Sequence, residues 1–331
     1  MTRRMIIRNV LLGSVFLSTC MVFFFVYQSI QFPTLLTVIL SDEDVYGISP
    51  FFRKQSGNAT DYSREVLYTV SENKRKQERR LPNALIIGIR KGGTRAILEF
   101  LARHPSVKAC KHEVHFFDRQ ENYVRGLNWY RDQMPLSFSN ETTMEKTPAY
   151  FVTDDVPRKI FQMSPSIKLL VVVRDPTIRA MSDYAQVLEN NNGSLSRSFE
   201  SYVTEGPHHR ILRKNSRFVT IGIYVDHLNK WLEYFPLKQI HFISGEELIK
   251  NPVHELKSVE IFLGLKPFFS ENLFYYNATK GFFCLKSGCL AKSKGRRHPL
   301  VDDDVVKLLR DFYRPLNKDF YSAVGRNFGW S

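Results

Sequence analysis

The stretch Ala84-Leu-Ile-Ile-Gly-Ile-Arg-Lys-Gly-Gly-Thr-Arg-Ala96 decides the fold of this chain. An apolar run typical of a buried strand ends at Gly88, a basic glycine-rich turn follows, and Ala96 starts a segment with helical spacing. Paired glycines let backbone N–H groups approach an anion, and the start of a helix adds partial positive charge. Lys91 precedes the glycines, so this is not a Walker loop. The pattern predicts a strand, an anion-binding loop and a helix; a tight turn with solvated basic residues is the alternative.

Two further apolar runs, Lys168–Val173 and residues 239–244, also read as strands. Helical patterns cover residues 178–189, 217–235, 246–263 and 301–317. Buried strands that alternate with helices predict an α/β fold with a central parallel sheet flanked by helices and a P-loop-like loop after the first strand. Because ligands bind at the carboxyl ends of such strands, the Lys91 loop and the Arg174-Asp175-Pro176 turn should face one cleft.

The balance of charge is strongly basic, at +14 over 331 residues. Such a chain favours polyanionic partners, which include nucleic acid, anionic membranes and sulfated polysaccharides. The length suits one large α/β domain with additional segments. Neither an internal repeat nor a long low-complexity tract is present in the sequence.

The N-terminal region has the pattern of a membrane anchor. Residues 10–27 are uncharged and apolar, residues 28–32 can extend the run, and Arg3, Arg4 and Arg8 precede it. We therefore expect a cytoplasmic tail at 1–9, a transmembrane signal-anchor at 10–32, a lumenal stem at 33–80 and a globular domain at 81–331. This is a single-pass type II arrangement, and a cleaved signal peptide is the alternative. An anchored lumenal domain also argues against a nucleic-acid partner.

Glycosylation sequons and cysteines are consistent with a lumenal domain. Sequons begin at Asn58, Asn140, Asn192 and Asn277. Cys284 and Cys289 lie close together, and in an oxidising compartment we expect them to form a disulfide, although two free thiols remain the alternative. A zinc site is disfavoured because no second pair of cysteines or histidines has ligand spacing nearby.

Five motifs in order resemble one enzyme family. They are Ile87-Gly-Ile-Arg-Lys-Gly-Gly-Thr-Arg-Ala96, Glu113-Val-His-Phe-Phe-Asp118, Glu145-Lys-Thr-Pro-Ala-Tyr150, Val173-Arg-Asp-Pro176 and Ser293-Lys-Gly-Arg296. From about Leu81 to Trp330 the chain is similar to the heparan sulfate glucosamine 3-O-sulfotransferases. The resemblance implies a Golgi enzyme that moves a sulfuryl group from 3′-phosphoadenosine 5′-phosphosulfate (PAPS) to the 3-hydroxyl of glucosamine in heparan sulfate. The product of the donor would be adenosine 3′,5′-bisphosphate, and the chemistry requires no metal.

The resemblance assigns the donor site to three segments. The 5′-phosphosulfate would contact Lys91, Gly92, Gly93, Thr94 and Arg95, and Lys91 would stabilise the leaving phosphate. Arg174 and Ser182 would bind the 3′-phosphate. The second basic turn would also bind the donor through Ser293, Lys294, Gly295, Arg296 and Arg297.

The resemblance assigns the acceptor chemistry to Glu113 as base, with His115 and Asp118 as its supports and Lys146 facing the acceptor. Glu113 and His115 would point to the same side if their segment is extended. A structural ion pair is the alternative for Glu113. Further acceptor contacts are predicted at Val114, Phe116, Phe117, Arg119, Thr147, Pro148, Ala149, Gln186 and Asn190.

Other functions compete with this reading. A related enzyme could sulfate another glycan position, and a lumenal heparan-binding protein without catalysis would explain the charge. A kinase is disfavoured because it would usually need a Walker loop and carboxylates for magnesium.

Overall fold

A central five-stranded sheet organises the computed structural model, which describes residues 76–192, 195, 197–206, 211–289 and 300–330. The predicted anchor at 10–32, Asn58 and the basic turn at 293–297 lie outside the described residues. The strands are β1 Glu78–Arg79, β2 Ala84–Gly88, β3 Val107–Ala109, β4 Leu136–Ser137, β5 Thr142–Lys146, β6 Lys168–Val173, β7 Thr204–Glu205, β8 Ile211–Leu212, β9 Ile240–Ser244, β10 Phe274–Asn277 and β11 Phe282–Leu285.

The central sheet is parallel throughout and has the strand order β3-β5-β2-β6-β9. This confirms the α/β fold and the parallel sheet predicted from the sequence. From β2 the chain leaves toward the β3 side, and from β6 it leaves toward β9, so the connections diverge between these two neighbours. Such a switch point forms a crevice at the carboxyl ends of the strands, where the Lys91 loop and Arg174 both lie.

Helices cover the sheet, together with short 3₁₀ turns at Tyr150–Val152, Leu237–Gln239 and Glu271–Leu273. The helices are α1 Thr94–Leu101, α2 Gln120–Tyr123, α3 Gly126–Asp132, α4 Val156–Met163, α5 Pro176–Asn190, α6 Phe199–Val203, α7 Arg217–Thr220, α8 Tyr224–Leu232, α9 Gly245–Lys250, α10 Pro252–Leu263 and α11 Asp303–Val324.

Two predicted helices are each divided in the structure. The one predicted at 246–263 breaks at Asn251, which has a non-helical backbone (φ −149°, ψ 73°) and whose Oδ1 accepts from His254 N. Pro252 then takes the first position of α10. The one predicted at 217–235 breaks around Gly222, where the backbone lies against Tyr313 and Pro176. The last helix, predicted at 301–317, instead runs from Asp303 to Val324 and contains Pro315.

Both faces of the sheet are buried, as a parallel sheet requires. On β2, Leu85 and Ile87 pack into one core with Trp231 and Phe235, which lie in and just after α8. Ala84 and Ile86 point to the opposite core, which α1 and α10 cover. A third core joins α5, α6 and α11 through Tyr184, Phe199 and Leu309. Because successive side chains of β2 point into two different cores, every position is buried, and the strand reads as a continuous apolar run.

The glycine-rich loop lies directly against the end of β6. A Cβ added to Gly92 would lie 2.1 Å from the carbonyl oxygen of Val172, and one added to Gly245 would lie 2.3 Å from the carbonyl oxygen of Gly92. The loop also uses left-handed backbone at Lys91 (φ 72°) and Gly93 (φ 118°). Backbone atoms cannot move aside as a flexible side chain can, so Gly92 admits no larger residue.

We expect Gly92→Ala to lower the free energy of unfolding by more than about 2 kcal/mol, because overpacking against rigid backbone is costly. Urea unfolding of the globular domain measures the change. Gly126→Ala is the matched control, since Gly126 has a left-handed backbone (φ 80°) but open space around it. That control should lose only about 1 kcal/mol, from backbone conformation alone. Equal losses in the two variants would contradict the close-packing argument.

Candidate active site

The anion-binding loop contacts the helix that follows β6. Lys91 Nζ donates a hydrogen bond of 3.1 Å to Gln186 Oε1 on α5, and Gln186 Nε2 in turn donates to Asn190 Oδ1 at 3.2 Å. Arg95 forms an ion pair with Glu99 and donates to the carbonyl oxygen of Lys111 at 2.9 Å. The loop, α5 and the segment before Glu113 are therefore linked through polar contacts.

An ion-pair network around the buried carboxylate of Asp183 supports the same loop. Arg90 Nε lies 2.6 Å from Asp183 Oδ1, and Arg179 Nη1 lies 3.0 Å from Asp183 Oδ2. Arg179 is fully buried and also donates to the carbonyl oxygen of Phe218. Two arginines share one buried carboxylate, which fixes the first residue of the loop against α5. The i,i+4 spacing of Arg179 and Asp183 was visible in the sequence, but their link to Arg90 was not.

Arg174 stands at the carboxyl end of β6, where α5 begins. Asp175 caps this helix, because its Oδ1 accepts from the backbone nitrogens of Thr177 and Ile178 at 2.8 and 3.3 Å. Burial lowers the pKa of the Arg174 guanidinium from its usual value. A partly desolvated cation at the switch point suits an anionic ligand group, and Ser182 lies on α5 in the same region.

The predicted acid–base residues form one cluster. Lys146 Nζ contacts Glu113 Oε1, and Glu113 Oε2 lies 3.4 Å from His115 Nε2. His115 Nδ1 lies 2.8 Å from Asp118 Oδ2. Lys146 is 6% exposed, whereas Glu113 keeps 39% of its side-chain exposure. An incoming hydroxyl can therefore reach the Glu113 carboxylate, while Lys146 contacts that carboxylate from its buried side.

The charges of the cluster stabilise one another. Partial burial opposes ionisation of Glu113, but hydrogen bonds from His115 and Lys146 outweigh it and lower the carboxyl pKa to about 2. Hydrogen bonds to Asp118 and Glu113 raise the pKa of the His115 imidazole to about 9. At neutral pH the cluster thus holds an ionised carboxylate between two cations.

Strand pairing places this cluster beside the anion-binding loop. Lys146 ends β5 directly opposite Ile86 of β2, and Thr147 N donates to the carbonyl oxygen of Ile86 at 3.2 Å. The loop begins just beyond the end of β2. A carboxylate that can accept a proton and a loop that can bind an anion therefore share one edge of the sheet. This arrangement suits transfer of an anionic group to a hydroxyl.

Comparison with known proteins identifies the family. The model of the sulfotransferase domain matches residues 81–310. The chain is 51% identical over 260 residues to heparan sulfate glucosamine 3-O-sulfotransferase 6 of Mus musculus, covering 76% of this chain and 74% of that protein. It is 48% identical over 257 residues to heparan sulfate glucosamine 3-O-sulfotransferase 5 of Homo sapiens, with coverage of 76% and 74%. This chain belongs to the heparan sulfate glucosamine 3-O-sulfotransferase family.

A solved structure shares the fold of this sulfotransferase. The sulfotransferase from Alicyclobacillus acidocaldarius superposes with a TM-score of 0.56 at 19% identity, covering 75% of this chain and 97% of that one. Family membership confirms the prediction made from the five ordered motifs. It also makes the described cluster and loop the candidate active site of a transferase.

Several predicted acceptor contacts in this sulfotransferase need correction. Phe116 and Phe117 are 1% and 0% exposed and pack in the core with Tyr130, so their side chains are not available to an acceptor. Val114, Thr147 and Pro148 are also buried, whereas Ala149 is half-buried and Arg119 is exposed. The segment from Glu113 to Asp118 is not extended throughout, because His115 has a left-handed backbone (φ 52°). Glu113 and His115 nevertheless meet through the turn.

The cysteines of the sulfotransferase behave as predicted where the structure describes them. Cys284 is bonded to Cys289, with their Cα atoms 4.7 Å apart, and the bridge lies at the end of the β10–β11 hairpin. Cys110 is a buried thiol, and burial raises its pKa. Asn140 and Asn192 are exposed and Asn277 is half-buried, so their glycosylation stays a prediction. Across the described ranges, no helix is long and apolar enough to cross a membrane.

The His115 cluster predicts a pH-dependent stability. The folded pKa of about 9 exceeds the ordinary value of 6.5, so the imidazolium stabilises the fold fully below pH 6.5 and loses this effect as the pH rises through about 9. We expect His115→Asn to be less stable than the parent at pH 6, with the gap closing by pH 10, in urea unfolding. Asparagine tolerates the left-handed backbone.

His254→Asn is the control, because that imidazole is exposed and lies outside the cluster. A gap that is constant from pH 6 to pH 10 in His115→Asn would show that packing, rather than charge, accounts for the loss.

Proposed function

We propose that this sulfotransferase moves the sulfuryl group of PAPS to the 3-hydroxyl of glucosamine residues in heparan sulfate and releases adenosine 3′,5′-bisphosphate. The single observation that carries the proposal is the contact of Glu113 with Lys146 and His115 at the sheet edge that also bears the Lys91 loop. The relatives named as heparan sulfate glucosamine 3-O-sulfotransferases, at 48–51% identity, support the donor and the acceptor.

The residues of the cleft fit an anionic nucleotide donor. The missing side chain of Gly92 lets the loop pack on the carbonyl oxygen of Val172, and α1 begins just beyond it at Thr94, so the positive end of this helix lies at the loop. Lys91 and Arg95 would hold the 5′ end, and Arg174 with Ser182 would hold the 3′-phosphate. The donor supplies an activated sulfuryl group, and residues 293–297 would complete its site.

The chemistry follows from the charges of these residues. Glu113 is ionised at any working pH and accepts the proton of the acceptor hydroxyl as that oxygen forms its new bond to sulfur. The bond between sulfur and the bridging oxygen breaks, and Lys91 stabilises the charge that develops on the leaving phosphate. His115 and Lys146 keep the carboxylate in place, and Lys146 does so from the buried side rather than facing the sugar chain. Gln186, which accepts from Lys91, and Asn190, which accepts from Gln186, share one face of α5.

We also propose that the enzyme resides in the Golgi membrane as a single-pass type II protein, with residues 10–32 as anchor and the domain from residue 81 in the lumen. The apolar run, the preceding arginines and the four sequons support this arrangement. Its partners would then be heparan sulfate chains rather than nucleic acid, in keeping with the net charge of +14.

A transfer assay tests the proposed reaction. The lumenal part, expressed from residue 74, is given radiolabelled PAPS and N-sulfated heparan sulfate, and the product is digested to disaccharides. We expect label in 3-O-sulfated glucosamine. Glu113→Gln should lower kcat by about 10²–10⁴-fold, because loss of a general base costs this much. Its affinity for adenosine 3′,5′-bisphosphate, measured by calorimetry, should stay at the parent value.

Glu121→Gln is the matched control, since Glu121 is an exposed carboxylate on α2. Label at another sugar position would keep the donor site and overturn the acceptor assignment. Binding of heparan sulfate without any transfer would leave a non-catalytic binding protein. Full activity in Glu113→Gln would remove this residue from the role of base.

Glycosidase digestion and protease protection test the proposed membrane topology. The full chain, expressed in mammalian cells, should lose mass on digestion with an N-glycosidase, and microsomes should protect the C-terminal domain from added protease. Replacement of Asn140, Asn192 or Asn277 by Gln should each remove one glycan where the site is used. A domain that is digested in intact microsomes would contradict the type II arrangement.

A further inference from the structure

Glu145 is a buried carboxyl to which the proposed chemistry assigns no role. It is 0% exposed and precedes Lys146 on β5. Tyr130 Oη donates to its Oε1 at 3.0 Å, Thr147 Oγ1 donates to its Oε2 at 2.9 Å, and the Tyr150 hydroxyl also hydrogen-bonds to it. A buried carboxylate is costly unless several donors satisfy it, and here three hydroxyls do so.

Two of these hydroxyls also accept hydrogen bonds from the turn that carries His115. The backbone nitrogen of His115 donates to Thr147 Oγ1 at 3.3 Å, and that of Phe116 donates to Tyr150 Oη at 3.0 Å. Each hydroxyl has one proton to give. Burial raises the pKa of the Glu145 carboxyl to about 7, and in its ionised form the carboxylate only accepts. Both hydroxyl protons then point at Glu145, and the hydroxyl lone pairs face the backbone N–H groups. Glu145 thereby sets the direction of both bridges.

The turn needs such support because its backbone is unfavourable. His115 is a non-glycine residue with φ of 52°, a conformation that persists only when surrounding contacts over-determine it. Besides the two bridges, the ring of Tyr130 stacks on Phe116 at 4.4 Å with an interplanar angle of 7°. The same tyrosine donates to Glu145. These three contacts with the turn pass through side chains that hydrogen-bond to Glu145, whereas Asn122 Nδ2 donates independently to the carbonyl oxygens of Val114 and His115 at 3.1 and 3.0 Å.

We infer that Glu145 is a positioning residue of the active site, which holds His115, and through it Glu113, by way of the hydroxyls of Thr147 and Tyr150. The geometry stands on its own, whereas its effect on turnover rests on the proposed function. Loss of a bridge should loosen the His115 turn and displace Glu113 from the acceptor hydroxyl. Donor binding, which depends on the Lys91 loop, should be unaffected.

Thr147→Val and Thr147→Ser form the central test. Valine keeps the shape but removes the bridge, and should lower kcat at least about tenfold, since small misplacement of a reacting group can cost ~100-fold. KM for PAPS should not change. Serine keeps the hydroxyl and should restore kcat. Thr143→Val is the control, because Thr143 is a buried threonine of β5, just before Thr147, and its hydroxyl pairs with Ser137 at 2.8 Å instead.

A double-mutant cycle separates positioning from general loss of structure. In a His115→Ala background, Thr147→Val should lower kcat no further, because the turn no longer has an imidazole to place. Glu145→Gln should behave like Thr147→Val, since its amide donates where the carboxylate accepts. If Glu145→Gln does not fold, the threonine variants decide. Equal kcat in Thr147→Val and the parent, or an equal loss with and without His115, would overturn the inference.

The pKa of the His115 ring, measured by NMR titration, gives a readout that does not need turnover. It should fall from about 9 toward its ordinary value in Thr147→Val and recover in Thr147→Ser. If the parent transfers no sulfate at all, the proposed function fails while this titration still decides the positioning role. An unchanged pKa in Thr147→Val would then count against it.

Discussion

The register between β2 and β5 is the constraint on which the active site depends. Ile86 pairs with Lys146, and this pairing brings residues more than fifty positions apart to one edge of the sheet. A slip of one residue would move every β5 side chain to the other face of the sheet, so Met144 would leave its core and the buried Glu145 would enter it. Because β2 is apolar on both faces, the mixed apolar and charged residues of β5 fix the register.

The cleft combines two kinds of positive charge with different roles. Lys146 and the His115 imidazolium are committed to Glu113, and Arg90 and Arg179 are committed to Asp183, so these cations organise the protein itself. The Tyr224 hydroxyl donates a hydrogen bond to the carbonyl oxygen of Arg174, and this contact does not involve the guanidinium. Because the Arg174 guanidinium is partly desolvated, it attracts an anion more strongly than the guanidinium of a surface arginine does. In this basic chain, the carboxylates of Glu113 and Asp183 therefore hold these four cations in fixed positions.

The sequence allowed the fold and the main chemical residues to be predicted, but it did not reveal how they meet. β2, β6 and β9 were found because they are short apolar runs. β5 was missed because Thr142-Thr-Met-Glu-Lys146 is polar, and its polar groups find partners only through long-range contacts such as Glu145 with Tyr130. The left-handed backbone of His115 has no local signal either, since its supporting hydroxyls belong to Thr147 and Tyr150, in the segment that follows β5.

The buried thiol of Cys110 has a consequence for how the domain is made. An oxidising compartment exposes every unfolded thiol to mispairing, and this domain contains one more cysteine than its disulfide uses. Closure of a five-residue separation costs far less chain entropy than closure between Cys110 and either partner. Once Cys110 is buried, its raised pKa keeps it as an unreactive thiol. Proximity along the chain and burial in the core together favour the Cys284–Cys289 bridge when the domain is oxidised.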